Sequence, residues 1–228
     1  MLVLGLCGSL RHDSYNRRLL TAAARTLPRD VDLREWRALD RIPPYNEDLD
    51  VTPARAQVRD LRAGLAGADA VLIATPEYNN SVPGSLKTAL DWASRPFPHN
   101  ALQRKPVAVV GASTGLFGAV WAQAEVRRIL NASGAYVIED ELPVPSAHEA
   151  FHADGALKDE LMRASLTAML DQLLCLAGGS PESPQARGEH RRPHASDRTR
   201  RALKRSPAPE RGARRAAAAS MPGRGGHR

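Results

Sequence analysis

The chain alternates short apolar runs with longer stretches of helical spacing. Leu2-Val3-Leu4-Gly5-Leu6-Cys7 and Ala70-Val71-Leu72-Ile73-Ala74 are almost free of polar side chains, which predicts strands buried on both faces. With these two, at 2–7 and 70–75, further runs predict strands near 31–36, 106–111 and 135–139. Apolar residues three and four apart predict helices near 16–27, 54–66, 84–95, 119–133 and 156–177. Regular β–α alternation with strands this apolar implies an α/β domain, a parallel sheet covered by helices on both faces. Right-handed crossovers leave few ways to connect it.

Three of the strand-to-helix loops are unusually polar. The first, Gly8-Ser9-Leu10-Arg11-His12-Asp13-Ser14-Tyr15-Asn16, joins hydroxyls and an arginine to the open N–H groups of a helix start, a suitable cradle for a phosphate. The second runs Thr75-Pro76-Glu77-Tyr78-Asn79-Asn80-Ser81-Val82-Pro83, and Pro83 suits the opening turn of the next helix. The third, Gly111-Ala112-Ser113-Thr114-Gly115-Leu116-Phe117-Gly118, is rich in glycine. In an open α/β sheet such loops are where ligands bind.

Together, Gly8-Ser9-Leu10-Arg11 with Ser14 and Asn16, Pro76-Glu77-Tyr78-Asn79 through Pro83-Gly84-Ser85-Leu86-Lys87, Asp91-Trp92, and Gly111-Ala112-Ser113 with Gly115 and Gly118 resemble the NADPH-dependent FMN reductases. That flavodoxin-like group includes bacterial quinone, chromate and azo-dye reductases, and the similarity spans residues 1–177. The resemblance implies a flavodoxin-like, doubly wound five-stranded sheet of order 2-1-3-4-5. It implies FMN and NADPH (or NADH) as cofactors, a small-molecule electron acceptor, and a homodimer or homotetramer with Trp121, Val120 and Ile129 as interface candidates. It places the flavin phosphate on Ser9, Arg11, Ser14 and Asn16. The ring would lie along Pro76, Glu77, Tyr78, Asn79 and Asn80, with Ser113 and Gly115 closing its other side. One departure stands out: many members carry an arginine on the helix after the third loop, where this chain has Ala119-Val120-Trp121-Ala122-Gln123.

Charge changes the picture only at the C-terminal end. The 228 residues carry a net +7, yet residues 179–228 hold 13 Lys+Arg against 4 Asp+Glu, a net +9, which leaves −2 for the rest. Residues 1–178 therefore read as one reductase domain, and 179–228 as a disordered Arg/Ala/Pro/Gly-rich tail that cannot bury enough apolar surface to order itself. That tail is either a solvated extension or a basic arm for an anionic polymer. Nucleic acid is not otherwise an expected partner. No run of 18 apolar residues predicts a membrane span. Two cysteines and a start that leads straight into a strand point to a reducing cytoplasm. Cys7 reads as a small buried hydrophobe.

Other chemistries find little support. The glycines of the third loop do not match the dinucleotide fingerprint, no phosphate-loop motif is present, and no acidic cluster ends a strand as in a phosphorylation receiver. Seven histidines form no triad signature, and His12 reads as exposed and non-catalytic. Glu77 reads as structural, no metal site is expected, and no catalytic side chain is assigned because the flavin carries the chemistry. A rival of another class is a non-enzymatic flavodoxin-like electron carrier or redox-responsive binding protein with the tail as docking arm.

Overall fold

The computed structural model describes residues 1–179. The predicted disordered tail begins at 179, and its residues 180–228 lie outside the described residues. The elements run β1 (Leu2–Cys7), α1 (Tyr15–Thr26), β2 (Asp32–Trp36), α2 (Ala56–Gly67), β3 (Ala70–Thr75), α3 (Gly84–Ala93), β4 (Pro106–Ala112), α4 (Val120–Ala132), β5 (Tyr136–Val137), β6 (Leu142–Val144) and α5 (Glu160–Gly178). Predicted and observed ends agree to within a few residues, except at the fifth strand and at the start of the last helix. That helix begins at Glu160, not near 156, because Asp159 caps it by accepting from the Met162 amide at 2.9 Å.

All strand pairs are parallel and the order is β2-β1-β3-β4-β5, as expected. Every residue of β3 and β4 is buried, which explains their continuous apolar sequence. Strand alternation then divides the core. Leu72, Ala74, Ala108 and Val110 pack toward α1 and α5, while Val71, Ile73, Val107 and Val109 face α2, α3 and α4. Trp92 of α3 is fully buried in the second cluster, edge-on to Tyr45 at 4.9 Å, with its indole N–H donated to the Pro43 carbonyl at 2.9 Å. No helix among the described residues is long and apolar enough to cross a membrane.

The predicted strand at 135–139 needs correcting. It is shortened to β5, which pairs Pro106–Val107, and a sixth strand that the sequence reading missed, β6, pairs Val110–Ala112 of β4. The Ile138 amide still reaches the Val107 carbonyl at 2.8 Å, and then the ladder stops. The physical reason is the run Glu139-Asp140-Glu141, whose carboxylates cannot be buried between helix layers. Asp140 instead accepts from Gln172 of α5 at 2.6 Å, and Glu141 pairs with Arg127 of α4 on the other face.

Arg127 is 7% exposed, and its Nη1 has no partner among the described residues. Removing its counter-charge should therefore cost more than removing the cation. Glu141→Ala is expected to destabilise the protein by about 2–3 kcal/mol, and Arg127→Met by clearly less. Urea unfolding of both variants checks this; equal losses would mean that the pair, not the stranded charge, sets the cost.

Candidate functional site

The carboxyl ends of β1, β3 and β4 bring the three polar loops to one end of the sheet. Behind β1 the chain turns through Gly8, whose amide donates to the Ala74 carbonyl at 2.8 Å. A Cβ there would sit 3.0 Å from Leu86 of α3 and 3.2 Å from Pro76, so a larger residue would press both side chains aside where the first loop meets the second. Ser9 is buried and its hydroxyl accepts from the Arg11 amide at 3.4 Å. Ser14 caps α1, accepting from the Arg17 amide at 3.4 Å. Cys7 lies beneath, 3.7 Å from the Ser14 hydroxyl and buried as expected, and that burial pushes its thiol pKa up.

The two arginines of this region have opposite fates. Arg17 donates to Glu35 of β2 at 2.8 Å and to the carbonyls of Arg11 and His12 at 3.1 Å each, so it props the loop from below. Arg11 is exposed and pairs with no carboxylate among the described residues. Its guanidinium lies 5.6 Å from the centre of the Tyr15 ring. The Arg17–Glu35 prop escaped the sequence reading because strand order alone does not say which side chain of β2 faces the start of α1. His12 is exposed, as expected.

Asn16 has a different geometry from a free phosphate donor. Its amide group is paired with the main chain of Ala112, Nδ2 donating to the carbonyl and Oδ1 accepting from the amide, both at 2.9 Å. The residue is buried and ties the start of α1 to the end of β4.

The second loop is a miniature hairpin. Tyr78 and Ser81 exchange two backbone hydrogen bonds of 3.1 Å, and Asn79 and Asn80 sit between them at φ +53° and +58°. Two consecutive left-handed residues define a type I′ turn, a geometry that asparagine tolerates better than most side chains. Glu77 Oε2 accepts from the amides of Trp121 and Ala122 at 3.0 and 3.1 Å, so it caps α4, whose own N-cap residue Ala119 supplies no side-chain bond. In return, Glu125 of α4 accepts from the Ser81 hydroxyl at 2.6 Å and the Val82 amide at 3.1 Å.

Those two bonds, the Ser81 hydroxyl first, hold the Glu125 carboxyl below its ordinary value of 4.5. A folded-state pKa that is depressed contributes stability above the ordinary value, and the contribution fades as pH falls through the depressed one. The reciprocal carboxylates were missed in the sequence because each spans more than forty residues.

The third loop is anchored on the segment that the sequence reading left out. The Ser113 amide donates to the Val144 carbonyl at 3.1 Å, and the Ser113 hydroxyl accepts from the Gly115 amide at 3.1 Å. Gly118, at φ +57°, lies so near β6 that a Cβ would fall 2.5 Å from the Val144 nitrogen. Leu116, Phe117 and Trp121 are exposed beside it, and the last two rings meet edge-on at 4.9 Å.

Eight of the eleven predicted site residues line one cleft: Ser9, Arg11, Ser14, Asn16, Pro76, Glu77, Tyr78 and Ser113, joined by Tyr15, Ala112 and Thr114. Asn79 and Asn80 form the hairpin tip outside it, and Gly115 follows the lining residue Thr114 in the third loop without lining the cleft itself. The donor set suits a phosphate monoester carried by a flat ring. Buried hydroxyls, a helix N-terminus and an arginine that pairs with no carboxylate among the described residues line it together with the half-exposed Tyr78.

Comparison with known proteins agrees with this geometry. The NADPH-dependent FMN reductase family matches residues 1–149, and the chain belongs to that family. It is 40% identical over 172 residues to an NAD(P)H-dependent FMN reductase of Pseudomonas aeruginosa, covering 75% of this chain and 92% of the relative. It is 35% identical over 173 residues to a 2-hydroxy-1,4-benzoquinone reductase of Burkholderia sp., covering 72% and 90%. The solved flavoenzyme NAD(P)H:(acceptor) oxidoreductase FerB of Paracoccus denitrificans superposes with a TM-score of 0.68 at 34% identity, over 77% of this chain and 96% of that one. The protein is thus an oxidoreductase working with FMN and NAD(P)H, and the expected flavodoxin-like architecture holds.

Because Asn16 satisfies two buried backbone groups, Asn16→Ala is expected to cost about 2–3 kcal/mol in denaturant unfolding. A loss below about 0.5 kcal/mol would mean that water replaces the amide without penalty.

Proposed function

We propose that the chain passes electrons from NAD(P)H through FMN to quinones and, with less discrimination, to azo compounds, metal oxyanions or free flavin. One observation supports the site most directly: Arg11, an arginine with no ion-pair partner among the described residues, lines one cleft with the buried Ser9 and Ser14 at the start of α1. When bound, FMN supplies hydride acceptance from the nicotinamide and electron delivery to the acceptor.

The chain's own residues bind and orient. Arg11 neutralises the phosphate, while Ser9 and Ser14 offer hydroxyls. Asn16 acts by holding Ala112 and Ser113 beside them. Pro76, Glu77, Tyr78, Asn79 and Asn80 flank the ring on one side, with Glu77 working through α4. Ser113 and Gly115 close the other. No side chain is assigned a proton-transfer role. Residues 1–178 form the working domain and 179–228 an appendage to it. The exposed Trp121, with Val120 and Ile129, favours a homodimer or homotetramer, and the reading is of a cytoplasmic enzyme.

The absorbance spectrum of the purified protein and its rate of NADPH oxidation test the whole reading. Arg11→Ala is expected to weaken FMN binding about tenfold or more, the loss of a charge-assisted contact; an unchanged Kd would mean that the phosphate lies elsewhere. Glu77→Gln keeps an acceptor oxygen for the α4 amides and is expected to retain NADPH oxidation within about tenfold, whereas losing a general acid or base costs about 10²–10⁴. A chain ending at Ala177 is expected to keep flavin and turnover; losing either would give the tail a part in the site.

A further inference from the structure

The ring-flanking hairpin has little of its own to hold it. Two backbone bonds close its tip, and Tyr78, Asn79 and Asn80 are exposed. Its two stems are instead suspended from α4, the first by Glu77 on the amides of Trp121 and Ala122, the second by Glu125 on Ser81 and Val82. Glu125 lies one turn beyond those amides, so one face of α4 holds both stems. Three further observations bear on the second tie. Both donors converge on a single oxygen, Oε2. Its nearest cation on α4, Arg128, reaches the other oxygen only at 4.0 Å, so the carboxylate is engaged mainly by the hairpin. Lys87 of α3, the other cation facing it, is paired with Asp91 at 2.6 Å.

We propose that Glu125 is a positioning residue for the flavin ring, setting how closely the Tyr78 hairpin stands over the cleft. The proposal rests on the flavin site described above and adds a division within it. Arg11 and the first loop grip the phosphate end, and Glu125 governs the ring end alone through Ser81 and Val82. Charge-assisted bonds suit this role because they are short and directional.

Riboflavin, which has the ring but no phosphate, separates the two ends. Glu125→Ala is expected to weaken FMN and riboflavin by the same factor, about tenfold, and to alter the visible circular dichroism of the bound flavin. Arg11→Ala is expected to weaken FMN only. Glu125→Gln, which keeps an acceptor oxygen for both donors, should restore the wild-type dichroism and bring both affinities back to within about threefold. Should Glu125→Ala fail to fold, Ser81→Ala carries the same test, since it removes one donor and leaves the carboxylate on the Val82 amide. Weakened riboflavin binding then supports the role, and unchanged binding overturns it. Glu125→Ala protein that binds both flavins like wild type, or that loses FMN while holding riboflavin, also overturns it. Wild-type protein that binds neither flavin would bring down the flavin site itself, a different failure.

Discussion

The link on which the mouth of this protein depends is the pair of hydrogen bonds between the Asn16 amide and the main chain of Ala112. They join positions 96 residues apart, the start of α1 and the end of β4. Below that level the fold is held by burial: β3 and β4 are wholly inside, and their side chains serve two separate cores. At the rim burial runs out, and polar ties take over from packing. Asn16 joins the first loop to the third, and Glu77 and Glu125 join the second loop to α4. Because each tie satisfies backbone groups as well as side chains, the network stiffens the loops without leaving buried polar atoms unpaired.

The same economy governs charge. Arg17 and Arg11 lie six residues apart on opposite sides of a helix cap, and one is spent on Glu35 and two carbonyls while the other pairs with no carboxylate among the described residues and lies beside the Tyr15 ring. Spending Arg17 on structure holds the loop's carbonyls away from the cleft, so that Arg11 and the N-terminus of α1 dominate the field an anion would meet. A loop with both arginines in its mouth would repel itself when empty; one with neither would have no grip.

Much of this was legible in the sequence, for reasons that differ from part to part. The strands at 2–7 and 70–75 announced themselves because burial on both faces leaves an unbroken apolar run. The cleft was legible as loop composition, since Ser9, Arg11 and Tyr78 had no structural task that the pattern could assign. What stayed hidden was everything that needs a partner far along the chain. Asn16 read as a ligand donor because Ala112 could not be foreseen beside it, and nothing in the residues around Glu125 points to its partners Ser81 and Val82. Asn79 and Asn80 read as ligand groups, although their left-handed backbone gives them a local reason to be there. The fifth strand was drawn past Val137 on the strength of its apolar start, and the short sixth was missed because the acidic run before it reads as a loop.

That shortened strand has a bearing on how the molecule behaves among its neighbours. An open sheet offers unpaired N–H and C=O groups along both outer edges, and a long flat edge invites another chain to add a strand. Here the β5–β6 edge consists of two and three residues, interrupted by three acids. The opposite edge, β2, points Asp32 and Arg34 outward along its five residues. Neither border presents enough continuous, uncharged backbone to template a cross-chain ladder. The acidic break that costs the sheet part of a strand thus also guards it against aggregation through its edge.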